Sequence, residues 1–183
     1  MPQARVLGVS TTNRRGEQCE VRKVPEGYHT ASPYLITRDA SAAVEFYRTA
    51  FGATVKRRLA TADGKIMHAE MKIGDSIVML ADEFPSHEAF SPEHFGGSPV
   101  SVVLYVENAD VLYAKALDAG AVSLRPIADQ PFGARSGTIR DPFGHRWTLT
   151  THIEDIADEE IERHFAAIMG GGASAANSGG ATT

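Results

Sequence analysis

Asp39-Ala-Ser-Ala-Ala-Val-Glu-Phe-Tyr-Arg-Thr-Ala-Phe-Gly52-Ala53 is written a second time in altered letters. The second copy is Glu107-Asn-Ala-Asp-Val-Leu-Tyr-Ala-Lys-Ala-Leu-Asp-Ala-Gly120-Ala121, sixty-eight positions later. In the first copy Val44, Phe46, Tyr47, Ala50 and Phe51 share a helical face, and Gly52 suits a C-terminal cap. In the second, Gly120-Ala121 closes the helix in the same way. An apolar strand precedes each helix, Tyr34 to Thr37 and Val100 to Val106. Three strand-like runs follow each. In the first copy they are Thr54 to Ala60, Ile66 to Ile73 and Ser76 to Ala81. In the second they are Val122 to Arg125, Arg135 to Arg140 and Arg146 to Thr151. Gly74-Asp75 suits a tight hairpin with Gly in the first central position. Asp141-Pro-Phe-Gly144 suits a type I turn. The pattern predicts an α+β fold of two βαβββ modules, residues 28–81 and 99–155, paired into one body over 24–156.

Around this body the chain is plainer. Residues 1–23 show no sustained periodicity and read as a flexible tail. A terminal helix is expected over 157–169, with Asp158 as N-cap and Ile161, Phe165 and Ile168 as its stripe. The Gly- and Ser-rich residues 170–183 read as disordered. Asp82 to Pro99, with Phe84, Phe90, Phe95 and Gly96-Gly97, forms a long crossover between modules. Segments of this length serve either as functional loops or as plain linkers.

The 183 residues are 43% hydrophobic, enough for a real core. The single Cys19 excludes an internal disulfide framework and fits a reducing, cytoplasmic setting. No run reaches the length of a membrane span, and Arg5, Arg14 and Arg15 interrupt any leader-like stretch, so no membrane partner is expected. A net charge of −5 without a Lys/Arg cluster argues against nucleic acid as a partner. Neither a phosphate-binding Gly loop nor a Gly-x-Ser-x-Gly elbow occurs.

The paired modules, the first strand Gly-Tyr-His-Thr-x-x-Pro-Tyr-Leu (Gly27 to Leu35), the Glu-Phe-Tyr helix and the closing Asp-Pro-Phe-Gly-His resemble the vicinal-oxygen-chelate superfamily. That superfamily holds glyoxalase, bleomycin-resistance and extradiol-dioxygenase relatives, and the likeness is nearest its PhnB-like group. The resemblance implies half-open barrels around a cavity, and homodimers that complete them. It also implies a divalent metal held by His or Glu on first and last strands. The corresponding positions read Ser32, Ser101 and Thr148, with Glu70 at the one acidic position and His68 two residues before it. Hydroxyls are poor ligands for Zn²⁺, Ni²⁺ or Fe²⁺. The expectation is no cofactor, with a weak divalent site at Glu70 and His68, and His29 as a third ligand, left open.

Strand alternation adds its own reading. On Ile66 to Ile73 it sets Met67, Ala69, Met71 and Ile73 toward the core and Ile66, His68, Glu70 and Lys72 on a mixed face. Trp147 and Leu149 likewise oppose Thr148 and Thr150, and Val102 and Leu104 oppose Ser101, Val103 and Tyr105. The mixed face is either simply wet or, if the sheet curls, a ligand site. Its candidates are His68 and Glu70 as an acid–base pair and Ser32, Tyr34, Ser101, Tyr105, Thr148 and Arg135 as ligand contacts. Arg135 reads equally as a surface ion pair with Asp129 or Asp141, and His68 with Glu70 as a structural hydrogen bond. His145 reads as a turn cap. Two functions follow. One is a glyoxalase-like isomerase, lyase or binding protein acting on a polar or anionic metabolite. The other is a sequestering protein of the bleomycin-resistance type.

Overall fold

The computed structural model describes residues 11–12, 18–19 and 22–171. Within the expected N-terminal tail, β1 (Thr11–Thr12) pairs antiparallel with β2 (Gln18–Cys19). The rest of 1–21 and all of 172–183, where the sequence reading expects flexible tails, lie outside the described residues.

The first module is β3 (Tyr34–Thr37), α1 (Ala40–Phe51), β4 (Thr54–Ala60), β5 (Ile66–Ile73) and β6 (Ser76–Asp82). The second is β7 (Ser101–Tyr105), α2 (Ala109–Asp118), β8 (Val122–Gln130), β9 (Ala134–Arg140) and β10 (Arg146–His152). Their sheets have the same order, β3-β6-β5-β4 and β7-β10-β9-β8, with the first strand parallel to the last and the other pairs antiparallel. The duplicated fold is as the sequence predicts. β8 runs on to Gln130, past its expected end, by bulging around Leu124 and around Pro126-Ile127. Pro126 offers no N–H to the ladder, so it sits where pairing lapses.

Local chemistry fixes the joints. The Asp39 side chain accepts from Ala42 N at 2.8 Å and Asn108 from Val111 N at 3.0 Å, each an N-cap. A last-strand residue holds the first helical N–H in each module: Asp82 accepts from Ala40 N at 2.8 Å and Thr151 from Ala109 N at 2.8 Å. Gly74 has φ 59° in the two-residue β5–β6 turn, a conformation that favours Gly. At Gly137 a Cβ would stand 2.8 Å from the Tyr113 ring and 3.0 Å from the Ile127 backbone. Only Gly lets α2 and β8 come this close to β9.

The two modules share one core. Phe51 and Tyr47 of α1 pack on Trp147 of β10 with ring centroids 4.9 and 5.3 Å apart, and Phe46 packs on Phe143. Ala69, Met71, Ile139, Trp147 and Leu149 face this cluster from both sheets. Asp141 lies buried at the seam. Its Oδ2 accepts from Tyr47 Oη (2.7 Å) and Trp147 Nε1 (2.9 Å), and its Oδ1 from Phe143 N and His145 N (2.9 Å each). His145 does more than cap its turn. Its ring reaches across to the Ile36 carbonyl of the first module at 3.0 Å.

One face assignment is corrected. Ile66 is fully buried while Met67 is 55% exposed, the reverse of strict alternation. Leu59 pairs with His68 but Ala60 with Ile66, so Met67 is a bulge residue with no partner, and parity flips there. The crossover holds two 3₁₀ turns, Pro85–His87 and Pro92–Phe95. The helix α3 (Asp158–Gly171) docks by stacking Phe165 on Phe132.

Candidate functional site

Each sheet turns one side to the helices and leaves the other open. On the first open face, pairing sets Arg57, Glu70, Met79 and Tyr34 in one cross-strand row. Glu70 is 3% exposed and is met by three donors. The Tyr28 hydroxyl donates to one oxygen. His68 Nε2 (3.2 Å) and Arg57 Nη1 (3.3 Å) approach the other. The Tyr28 hydrogen bond, with His68 and Arg57 behind it, holds the Glu70 carboxyl below its ordinary value against the opposing effect of burial. The same contact raises the Tyr28 phenol. His68 Nδ1 faces the Tyr34 hydroxyl at 3.1 Å, and partial burial raises that phenol too. A continuous line therefore runs from half-exposed Tyr34 through His68 to Glu70.

On the second open face the equivalent row is Arg125, Thr138, Thr148 and Val103. Arg125 donates from Nε (3.2 Å) and Nη2 (2.9 Å) to Thr138 Oγ1. Thr138, Thr148 and Ser101 hydroxyls continue the chain at 3.1 Å each. Tyr105 stands on this face, 75% exposed. Ser32 is half-buried just before β3.

The expected site residues thus gather into two sets. His68, Glu70 and Tyr34 form one, and Ser101 and Thr148 the other. Arg135 joins neither. It shares the helix-side parity of Gly137 and Ile139, and its guanidinium binds Asp110 of α2 through Nε and Nη2 (2.7 Å each) and Asp129 through Nη1 (2.8 Å). The hydrogen bonds to Asp110, then Asp129, raise its pKa, so its donors are engaged away from the open face. The geometry is that of the ion-pair reading, with Asp110 and Asp129 as partners. His29 also stands elsewhere, 3.8 Å from Asp75 at the hairpin.

The row alignment also moves Glu70 within the repeat. Its counterpart is Thr138 on the third strand of the module, whereas Thr148 on the last strand matches Met79. The positions that the resemblance assigns to a metal therefore offer the hydroxyls of Ser32, Ser101 and Thr148 and the thioether of Met79, and Glu70 is already met by three donors. Such a donor set does not fit a first-row divalent metal. Among the described residues no three His, Cys, Asp or Glu converge as a metal-binding group. Tyr28, Arg57 and Arg125 were missed in the sequence, although Arg57 and Arg125 stand one repeat apart.

A duplicated βαβββ body with polar open faces defines a fold class, and comparison gives its family. The sequence profile of the Glyoxalase/Bleomycin resistance protein/Dioxygenase superfamily matches residues 28–149, and the chain belongs to that family. The protein Mb0911c of Mycobacterium bovis is 37% identical over 134 residues, 72% of this chain and 88% of its own. The crystal structure of TioX from Micromonospora superposes with TM-score 0.56 at 28% identity, covering 68% of this chain and 99% of TioX. A PhnB protein from Bacillus cereus shares the fold at TM-score 0.54 and 21% identity, covering 67% of this chain and 99% of its own. No helix among the described residues is long and apolar enough to cross a membrane.

Proposed function

We propose that this protein takes a polar or anionic small molecule on its open sheet faces and moves a proton next to a carbonyl group, as a glyoxalase-like isomerase or lyase does. The line Tyr34–His68–Glu70 carries this reading. Glu70, held ionised, accepts the Nε2–H of His68 and leaves Nδ1 toward the open face. A substrate carbon gives its proton to Nδ1, and Glu70 stabilises the imidazolium that results. The Tyr34 hydroxyl, released from Nδ1 and kept protonated by its raised pKa, donates to the carbonyl oxygen as charge builds there. Of the two acid–base candidates, His68 is the base. A carboxylate with three donors and a lowered pKa is a weak one.

A second copy of the chain is the partner this reading requires. The helix-side faces of both sheets meet in one core, so the two open faces point away from it and do not cover each other. All seven residues of β4 are exposed, Leu59 among them, as are Met67, Val103, Tyr105 and Val122. A two-fold pair that sets the first face of one copy against the second face of the other covers this surface twice. Light scattering is expected to give twice the 19.6 kDa chain mass, and a mass of one chain at micromolar concentration refutes the pairing.

The exposed apolar residues on the same faces also favour a second reading, a sequestering protein that holds a flat ligand without chemistry. Solvent deuterium separates the two. Wild type is expected to wash deuterium into the carbon next to the carbonyl of an α-keto aldehyde or 2-hydroxy ketone, and His68→Gln to slow this at least about 100-fold. Equal rates for both proteins refute the role of His68. Tight binding without exchange across the panel establishes sequestration.

A further inference from the structure

The open face of the second module carries more charge than proton transfer needs. Arg140 and Arg146 stand directly opposite each other in the β9–β10 ladder, and Arg125 occupies the next row beside them. Like charges placed directly across a ladder destabilise it. Nothing in the fold offsets these. No carboxylate of the described residues lies within 4.0 Å of any of the three guanidinium groups. The chain has acids to spare, 23 Asp and Glu against 18 Lys and Arg. The two acids that line a crevice with Arg140 are engaged elsewhere: Glu93 pairs with Arg38 at 2.7 Å, and Asp141 is held by Tyr47 and Trp147.

Two further observations point to a ligand. Arg146 Nε is buried without a hydrogen-bond partner, a costly state that an acceptor would relieve. Beside it, Phe95, Gly97, Ser98, Leu124, Arg140 and Arg146 line an open crevice of about 900 Å³, roofed by the crossover. The Ser101, Thr148 and Thr138 hydroxyls extend the donors along the same face. In the first module Glu70 answers Arg57, the counterpart of Arg125, and a single Lys72 stands at the place of Arg140, opposite the uncharged Ile77.

We propose that this face binds the dianionic group of a small organic ligand, a phosphate or phosphonate or a pair of adjacent carboxylates, with Arg140 and Arg146 as its principal contacts and Arg125 as the third. Two guanidinium forks with hydroxyls beside them match several oxygens at once, which a single carboxylate does not supply. The proposal rests on the reading of the open faces as the ligand site, and it names the chemistry of one end of that ligand.

Calorimetry of the full chain at low ionic strength tests it, with inorganic phosphate, methylphosphonate, malonate and acetate as probes. At least one dianion is expected to bind and acetate to bind at least about tenfold more weakly. The Arg140→Gln/Arg146→Gln variant is expected to lose at least about tenfold in affinity for that dianion. Preference for phosphate or methylphosphonate identifies a tetrahedral oxyanion, and preference for malonate a dicarboxylate. Without ligand, the variant is expected to keep or raise its urea midpoint, because repulsion has been removed. A lowered midpoint means that the arginines hold the fold, and overturns the proposal. So does the absence of dianion binding at about 10 mM. Deuterium exchange dependent on His68 that persists without dianion binding overturns this inference alone. Loss of both overturns the functional reading as well.

Discussion

Asp141 offers the sharpest test of how the two modules are joined. Its carboxylate is 3% exposed and accepts four hydrogen bonds, one of them from Tyr47 in the other module. Asp141→Ala leaves the Tyr47 hydroxyl and the Trp147 indole N–H facing an apolar core, and each orphaned donor costs about 1–3 kcal/mol. The Phe143 N–H is only partly buried and regains water, the His145 N–H stays buried, and the desolvation of a buried charge is relieved. The net loss is expected to be about 3–4 kcal/mol, comparable to Trp147→Ala at about 3–5 kcal/mol. Tyr47→Phe removes one donor and leaves the carboxylate three, so its expected cost is about 1.5–2 kcal/mol. In the Asp141→Ala background the same change should cost nothing and regain up to about 1–3 kcal/mol, because it removes the orphaned hydroxyl. Asp141→Asn keeps one acceptor oxygen for the turn but sets an amide NH₂ against two donors, and should be about as harmful as Ala. Urea melts followed by circular dichroism and by Trp147 fluorescence, the chain having one Trp, give these numbers. A neutral Asp141→Asn, or additive losses for Asp141 and Tyr47, would refute the seam as described.

His145 gives a pH test. Burial holds its imidazole below the ordinary value of 6.5, so the unfolded chain takes up a proton before the native one. Stability should therefore be full above about pH 6.5 and fall as pH drops toward the lower folded value, and His145→Gln should flatten this dependence in urea midpoints from about pH 7.5 to 5.5. Glu70, also lowered in the fold, adds a separate loss below its ordinary value near 4.5, absent in Glu70→Gln. Arg135→Ala is expected to lower the midpoint in a salt-sensitive way while ligand response is unchanged, and altered ligand affinity would return Arg135 to the site. Protein purified without a tag or chelator should carry far less than one equivalent of Zn, Ni, Mn or Fe. A near-stoichiometric signal lost in Glu70→Ala would restore the metal chemistry of the family.

The helices, the Gly52 cap and the hairpin at Gly74-Asp75 were legible because each is decided within a few residues. Asp39 and Asn108, the N-caps that the structure adds, act just as locally, on N–H groups three residues on. The parts that escaped are those that alternation does not encode. A bulge at Met67 exchanged the faces of Ile66 and Met67, and bulges in β4 and β8 hid Arg57 and Arg125 from a period of two. The pairing of Tyr28 with Glu70 spans 42 residues and leaves no local mark. Arg135 is a different case. Parity with Gly137 and Ile139 already sets it on the helix side, and its charge drew more weight than its position.

The duplicated row explains why one fold carries two kinds of half-site. Arg57–Glu70–Met79–Tyr34 and Arg125–Thr138–Thr148–Val103 occupy matching places in matching sheets. In the first, a buried carboxylate must be answered, and Arg57, Tyr28 and His68 answer it. That requirement fixes the His68 ring and turns Nδ1 toward the open face. In the second, threonine removes the acid and with it the need for an internal cation, yet arginine is still there and two more stand beside it. On the proposed reading the first half, its acid answered internally, moves the proton, and the second holds the charge that arrives from outside. A ligand with an anionic end and a carbonyl end would need one of each, and the proposed two-fold pair would supply that combination in each of its two clefts.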